Sequence, residues 1–174
     1  QMRELAAALR AGPTVALVIV GFVLVHMVFA GLSFSQLWLV RERGFDAASI
    51  ARQIGGLQIV FGVLGALVGG VLSDRLTRRL PGGHAGFLVL LIALCAPLML
   101  AYRFAPAGSA LFYIGMCAGF FLPLATYGPA LALIQGGTPV RMRSTVIGFT
   151  MLALNIVAIA LGNAAVGAVS DRLG

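Results

Sequence analysis

An all-α polytopic membrane protein is the fold class this sequence predicts, and three observations predict it. Of the 174 residues, 60% are hydrophobic and only 10% are charged, against about 25% charged in a soluble domain. The mean hydropathy of +1.04 leaves too few polar side chains to cover a water-facing surface. Five charge-free stretches follow one another, at 11–40, 53–73, 80–102, 104–140 and 144–170, and the charges are confined to the gaps between them. Each stretch reaches the roughly 20 apolar residues that a membrane span needs.

In chain order, residues 1–12 come first. Leu5, Ala8 and Leu9 fall on one side of a helix and Arg3, Glu4 and Arg10 on the others, before Gly12-Pro13 stops it. This pattern predicts an amphipathic lead-in at headgroup level on the cytoplasmic side. Trimming the apolar stretches at Gly, Pro and polar clusters then places spans near 14–38, 53–72, 86–104, 109–135 and 144–168. The first and fourth exceed the hydrocarbon thickness and should tilt or project. The second carries Gly62, Ala66 and Gly70 at i, i+4, i+8, with Gly65 and Gly69 beside them, and the fourth carries Gly115 and Gly119. Small residues at such spacings let helix backbones approach closely. Pro123 and Gly128-Pro129 predict a kink or local loosening in the fourth span, and Pro97 a milder break in the third. The chain opens on Gln1 and closes on Gly174 directly after a loop signal, so a longer protein is expected.

Several function classes are excluded on chemical grounds. The net charge of +7 comes from arginines alone, spread singly or in short groups between apolar runs. That is a pattern of loop charges beside lipid headgroups, with no basic stripe or interleaved aromatics for nucleic acid. Cys95 and Cys117 lie inside apolar runs without CxxC spacing, so they suit neither a disulfide nor a metal framework. No GxSxG, HExxH or DxxxD occurs, and all five acids lie at loops. A phosphate-cradling GxxxxGK[ST] is impossible without lysine. No enzyme, cofactor or resident metal is expected.

Orientation follows the arginines. Arg3, Arg10, Arg75, Arg78, Arg79, Arg141 and Arg143 fall on one side, and Arg41, Arg43, Arg52, Arg103 and Arg172 on the other. The first side is expected in the cytoplasm, and the membrane is expected to be a bacterial inner (plasma) membrane.

The most informative stretch runs from Gly69 to Arg79 (GGVLSDRLTRR), and part of it returns at 167–173 as GAVSDRL. Asp74 and Asp171 stand 97 positions apart, and the same offset pairs Gly70 with Gly167, Gly65 with Gly162 and Gln58 with Asn155. Three spans separate the two copies, so they face opposite sides of the membrane. This is the pattern of an inverted-topology repeat of three-helix units.

Gly70-x-x-x-Asp74-Arg75-x-x-Arg78-Arg79 resembles the glycine–aspartate–basic loop that follows the second helix of each half of major facilitator superfamily transporters. Thr77 stands where that family usually has a second glycine. Gly128-Pro129, the Thr138-Pro139-x-Arg141-x-Arg143 lead-in to the fifth span and the terminal SDRLG are most similar to spinster-like members. The resemblance covers nearly the whole chain, as helices seven to eleven of twelve. It implies a C-terminal half-domain at 13–174, truncated before its last helix. It also implies a secondary active transporter that moves a small organic solute, lipid-like or amphipathic, by alternating access, driven by a proton or solute gradient. The expected partners are the lipid bilayer, the solute with or without protons, and the N-terminal half and last helix of the same protein. The alternative class is a non-transporting polytopic bundle with a structural or receptor-like role.

Site expectations follow in two groups. The resemblance implies that Gly70, Asp74, Arg75, Arg78 and Arg79 form a conformational latch, with Asp74 facing the positive end of a helix in the other half, held by Arg75 or Arg78. Within the spans, His26 is the only titratable group near the middle of one, which suits either proton coupling or a neutral hydrogen bond to a neighbouring helix. Ser33 lies seven residues on, on roughly the same face, and Gln36 nearer the end. Gln58 and Asn155 are amides at repeat-related positions, fit for cavity lining or interhelical hydrogen bonds. Thr126 and Tyr127 flank the expected kink, where a loosened backbone suits binding.

Overall fold

The computed structural model describes residues 12–173, with side chains throughout except those of residues 28–30, 33, 166 and 169–173. The amphipathic lead-in expected at 1–12 therefore lies, but for Gly12, outside the described residues. Five long helices follow in order. They are α1 (Pro13–Arg43), α2 (Ala47–Leu76), α3 (Gly83–Phe104), α4 (Ala110–Gly136) and α5 (140–173). Among the described residues, α2, α3, α4 and the 140–165 part of α5 are each long and apolar enough to cross a membrane, whereas the apolar stretch Pro13–Met27 of α1 is shorter. No strand occurs among the described residues. The helices overrun the expected spans by a few residues, because polar caps and charged first and last turns are helical too.

The helix ends follow local chemistry. Pro13 opens α1, where its missing N–H costs nothing. Gly44 closes it in the left-handed conformation at φ 68°, with its N–H returned to Leu39 O. Asp46 caps α2 by accepting from Ser49 N at 2.8 Å, and Ser109 caps α4 by accepting from Phe112 N at 3.3 Å. Short connections fold the helices back on one another. As a result the ends of α1 and α3 meet at one end of the bundle, while the end of α2 and the starts of α3 and α5 lie at the other.

The fourth helix is the hub. Of its most apolar stretch 61% is buried, against 17% for α2, 22% for α3 and 28% for α5, and every other helix packs on it. The other four keep broad exposed faces of Leu, Val and Ile, among them Leu17, Ile59, Val89 and Leu100. Such a surface is stable only against lipid or further protein.

Glycine sets the closest crossings. A Cβ at Gly65 or Gly69 would overlap the backbone of Phe121 or Ala125, and one at Gly128 would overlap Gly69. The stripe that α2 presents to α4 is thus Gly62, Gly65 and Gly69. Gly70 faces open space and Ala66 is exposed, which corrects the i, i+4, i+8 reading. Spacings of three and four drift less around the helix than two successive steps of four. On α4, a Cβ at Gly115 would overlap the backbone of Leu98, as the small-residue spacing predicts, whereas one at Gly119 would make only ordinary contact with the side chains of Leu32 and Met99.

Two further expectations change. α3 runs unbroken through Pro97, and α4 through Pro123 and Pro129. A membrane helix tolerates proline where neighbouring groups take over the freed polar atoms. The irregular backbone lies elsewhere. Residues Val68–Leu72 of α2 and Leu154–Leu161 of α5 form wider i→i+5 turns, with Ser73 N–H returning to Val68 O and Gly162 N–H to Val157 O. The first sits where the Gly128 backbone presses on Gly69 and Gly70.

Candidate functional site

Two places gather the sequence-predicted residues. One is the charged turn after α2. Ser73, buried at 1% exposure, is followed by a tight return in which Thr77 N–H donates to Ser73 O at 2.9 Å and Leu80 N–H to Leu76 O at 2.9 Å. The Thr77 hydroxyl donates to Ser73 O at 2.6 Å. His84, in the first turn of α3, brings Nδ1 to 2.9 Å from Ser73 Oγ and 3.1 Å from Thr77 Oγ1. Ser73, Thr77 and His84 thus clamp the end of α2 to the start of α3. Thr77 keeps helical dihedrals, φ −51° and ψ −34°, so the absence of glycine there costs no strain.

The clamp leaves the charges outside. Asp74, Arg75, Arg78 and Arg79 are exposed and line an open concavity of about 660 Å³ with Leu72 and Leu76. Among the described residues no hydrogen bond or ion pair joins Asp74 to Arg75 or Arg78, contrary to the expectation that one of them holds it. Neighbours at i, i+1 do not face each other on a helix. Arg78 lies past the last helical residue, Leu76, where the chain has already turned.

The other place is the wall between α1, α4 and α5. Val15, Ile19, Phe22 and His26 form one stripe of α1, buried with Ala130 and Ile134 of α4 and Val146, Leu154 and Ala158 of α5. His26 is 1% exposed. Its Nδ1–H donates to Phe22 O at 2.8 Å, which places a proton on Nδ1 and fixes the ring against its own helix. The imidazole meets Phe22 edge-on at 4.4 Å and Tyr127 at 4.8 Å, and Phe22 meets Tyr127 at 5.0 Å. Each such contact contributes about 0.5–1.5 kcal/mol beyond area burial. His26 and Tyr127, proposed for separate reasons, therefore belong to one aromatic cluster. Thr126 is buried beside them, but its hydroxyl is spent on Pro123 O at 2.7 Å. That bond serves the backbone around a proline and leaves little for a ligand.

The remaining candidates stand apart. Gln36 and Gln58 are exposed. Asn155 is exposed within the wide turn of α5, and its Nδ2 donates to Met151 O at 2.8 Å on its own helix. The Ser33 side chain lies outside the described residues. Among the described residues no group of three or more His, Cys, Asp or Glu could hold a metal ion.

Sequence reading missed three participants. His84 sat in an apolar run with no motif around it, and only the Ser73–Thr77 spacing, one helical turn, hinted at a shared partner. Trp38 meets two guanidinium groups, Arg43 at 4.9 Å and Arg103 at 5.0 Å from its ring centre. Tyr113 Oη donates to Gln53 Oε1 at 3.3 Å, tying α4 to the start of α2. Set against protein-family models, characterised proteins and solved structures, the chain matches none of them.

Proposed function

We propose that this chain is the greater part of one half of a major facilitator-type secondary transporter, which moves a small organic solute across a bacterial inner membrane by alternating access, with the Asp74–Arg79 turn in the cytoplasm. One observation carries the reading furthest. An acid and three arginines stand exposed on a turn that is itself clamped through Ser73, Thr77 and His84. A turn fixed so firmly, with its charges left to the outside, is built to meet a surface beyond these residues. In the family that the sequence resembles, the surface is the start of a helix in the other half. A carboxylate there gains from the helix dipole, and the contact breaks when the halves rock apart.

His26 has a lesser part in this reading. Its ring is fixed inside an aromatic cluster in the α1–α4 wall, which suits a positioned imidazole beside the solute path. An amphipathic solute fits the few polar groups that the helices expose.

The test is transport. In proteoliposomes of the full-length protein, with both halves present, a solute screen with and without a pH gradient identifies the cargo, and Asp74→Asn is then compared at equal insertion. The carboxylate–dipole contact is worth about 0.3–2 kcal/mol, so uptake should fall roughly two- to thirtyfold. Unchanged uptake in Asp74→Asn removes the latch. A bundle that inserts and moves no solute under either gradient is instead the structural or receptor-like class.

A further inference from the structure

α1 and α3 both lean on α4, and the two meet each other little, so a trough opens between them along the outside of the bundle. Each of the three helices contributes a small residue to its lining, Gly31 from α1, Ala96 from α3 and Gly119 from α4. This part holds about 470 Å³ and is apolar except at one end. A second, narrower cavity of about 110 Å³ continues it, sharing Val25 and Ile92 and reaching Leu88 and Ala130. From Leu88 to Arg103 along α3 the trough runs roughly 22 Å, at 1.5 Å per residue. That exceeds the roughly 15 Å depth of one leaflet of a 30 Å hydrocarbon core.

The polar end is a basic, aromatic rim. Arg103 lines the mouth, with its guanidinium 5.0 Å from the Trp38 ring and 5.2 Å from the Tyr102 ring. Arg43 also stands over the Trp38 ring, at 4.9 Å, and donates to Ala105 O at 3.1 Å. It also donates to Arg103 O. Arg43 is thereby consumed by the carbonyls at the end of α3. The Arg103 guanidinium makes no hydrogen bond or ion pair among the described residues, and it is exposed. An exposed guanidinium that stands over two aromatic rings and spends no donor on the protein is suited to recognise a phosphate.

We infer that the α1–α3–α4 trough is a binding site for one anionic glycerophospholipid of the surrounding bilayer, with an acyl chain in the trough and the headgroup phosphate on Arg103. Among the described lining residues the one charge is Arg103, at the end of α3, where a span meets the headgroup level. Charge complementarity selects the headgroup. The small residues Gly31, Ala96 and Gly119 select the chain, because a larger side chain at any of them would fill the space.

Trp38, the one tryptophan of the chain, reports on the site. The purified protein is reconstituted in vesicles of phosphatidylcholine containing increasing fractions of phosphatidylglycerol, with one lipid at a time brominated on the acyl chains near the headgroup. Brominated phosphatidylglycerol should quench Trp38 at several-fold lower mole fraction than brominated phosphatidylcholine. Arg103→Gln should erase the preference and Arg103→Lys should retain part of it. Ala96→Phe, which keeps the charge and fills the trough, should abolish high-affinity quenching by both lipids. Circular dichroism and unfolding temperature establish that each variant is folded, and each signal is taken relative to the same variant in unbrominated lipid. Equal quenching by the two lipids overturns the proposal. So does a preference that survives Arg103→Gln, or displacement of the brominated lipid by inorganic phosphate at matched ionic strength, which marks a site for the free anion.

Discussion

The two ends of the bundle use the same residue type in opposite ways. At the Trp38 end, one arginine is absorbed into the fold: Arg43 donates to the carbonyls of Arg103 and Ala105 and stands over the Trp38 ring, which it shares with Arg103. The last carbonyls of a helix have no partner of their own, so a cation there serves as a cap and offsets the dipole. At the Asp74 end, the fold is held by neutral groups, the Ser73 and Thr77 hydroxyls and the His84 imidazole, while the arginines point away. The comparison teaches that arginine counts alone do not locate function in such a chain. What separates a structural arginine from an available one is whether backbone carbonyls nearby already take its donors, as they do for Arg43 and not for Arg103.

The largest expected effect lies beneath the Asp74 end. Gly128→Val places a branched side chain where the Gly69 backbone passes, and overpacking of this kind costs about 1–3 kcal/mol or more. The unfolding temperature in detergent should fall sharply, and proteolysis between α2 and α3 should accelerate, because the crossing that seats the turn is forced apart. Next comes the Trp38 end. Arg43→Ala removes two charged hydrogen bonds, each worth about 1.5–3 kcal/mol, and a stacking contact of about 0.5–1 kcal/mol. Partial exposure reduces the sum, so a loss of about 2 kcal/mol is expected, with a red shift of Trp38 emission. The smallest effect belongs to the clamp. His84→Ala should cost about 1 kcal/mol, the typical worth of a neutral hydrogen bond, and should loosen the turn as read by faster amide exchange at Thr77 and Leu80. If His84→Ala destabilises more than Arg43→Ala, the contrast between the two ends is wrong.

Much of the architecture was legible because a bilayer imposes it. Charge-free runs of sufficient length can only be buried as helices, and the charges between them mark the turns. Gly115 was legible as a close-contact position, while Gly119, on the same spacing, meets no neighbouring backbone closely. Gly70 was misread because the choice among five small residues on α2 depends on which face meets α4, and both faces of that helix are apolar. Pro97, Pro123 and Pro129 were expected to disturb the helices that contain them. The disturbance stands instead at Val68–Leu72, opposite Gly128, in a segment whose sequence carries no breaker except two glycines. Among site residues, His26 was legible as a buried polar outlier, and its pairing with Tyr127 was not, since they lie on helices three elements apart. Gln58 and Asn155 matched by position, yet both are exposed, and Asn155 is satisfied by its own helix. Amide type says nothing about which face it occupies.

The wide turn at Val68–Leu72 also bears on how far the charged turn can be trusted to a helical wheel. A turn closed by i→i+5 bonds holds one residue more than its neighbours. Every residue after Leu72 therefore takes roughly the bearing that its predecessor would have in regular winding, a phase difference of about 100°. Extrapolating from the Gly62–Gly65–Gly69 stripe without that correction aims Asp74 a full position off. Conversely, the segment is a slack coil in the chain's length. Losing one residue from it would restore regular winding and leave the carboxylate on the same compass point, whereas inserting a residue between Ser73 and Asp74 would turn the carboxylate about 100° away from it.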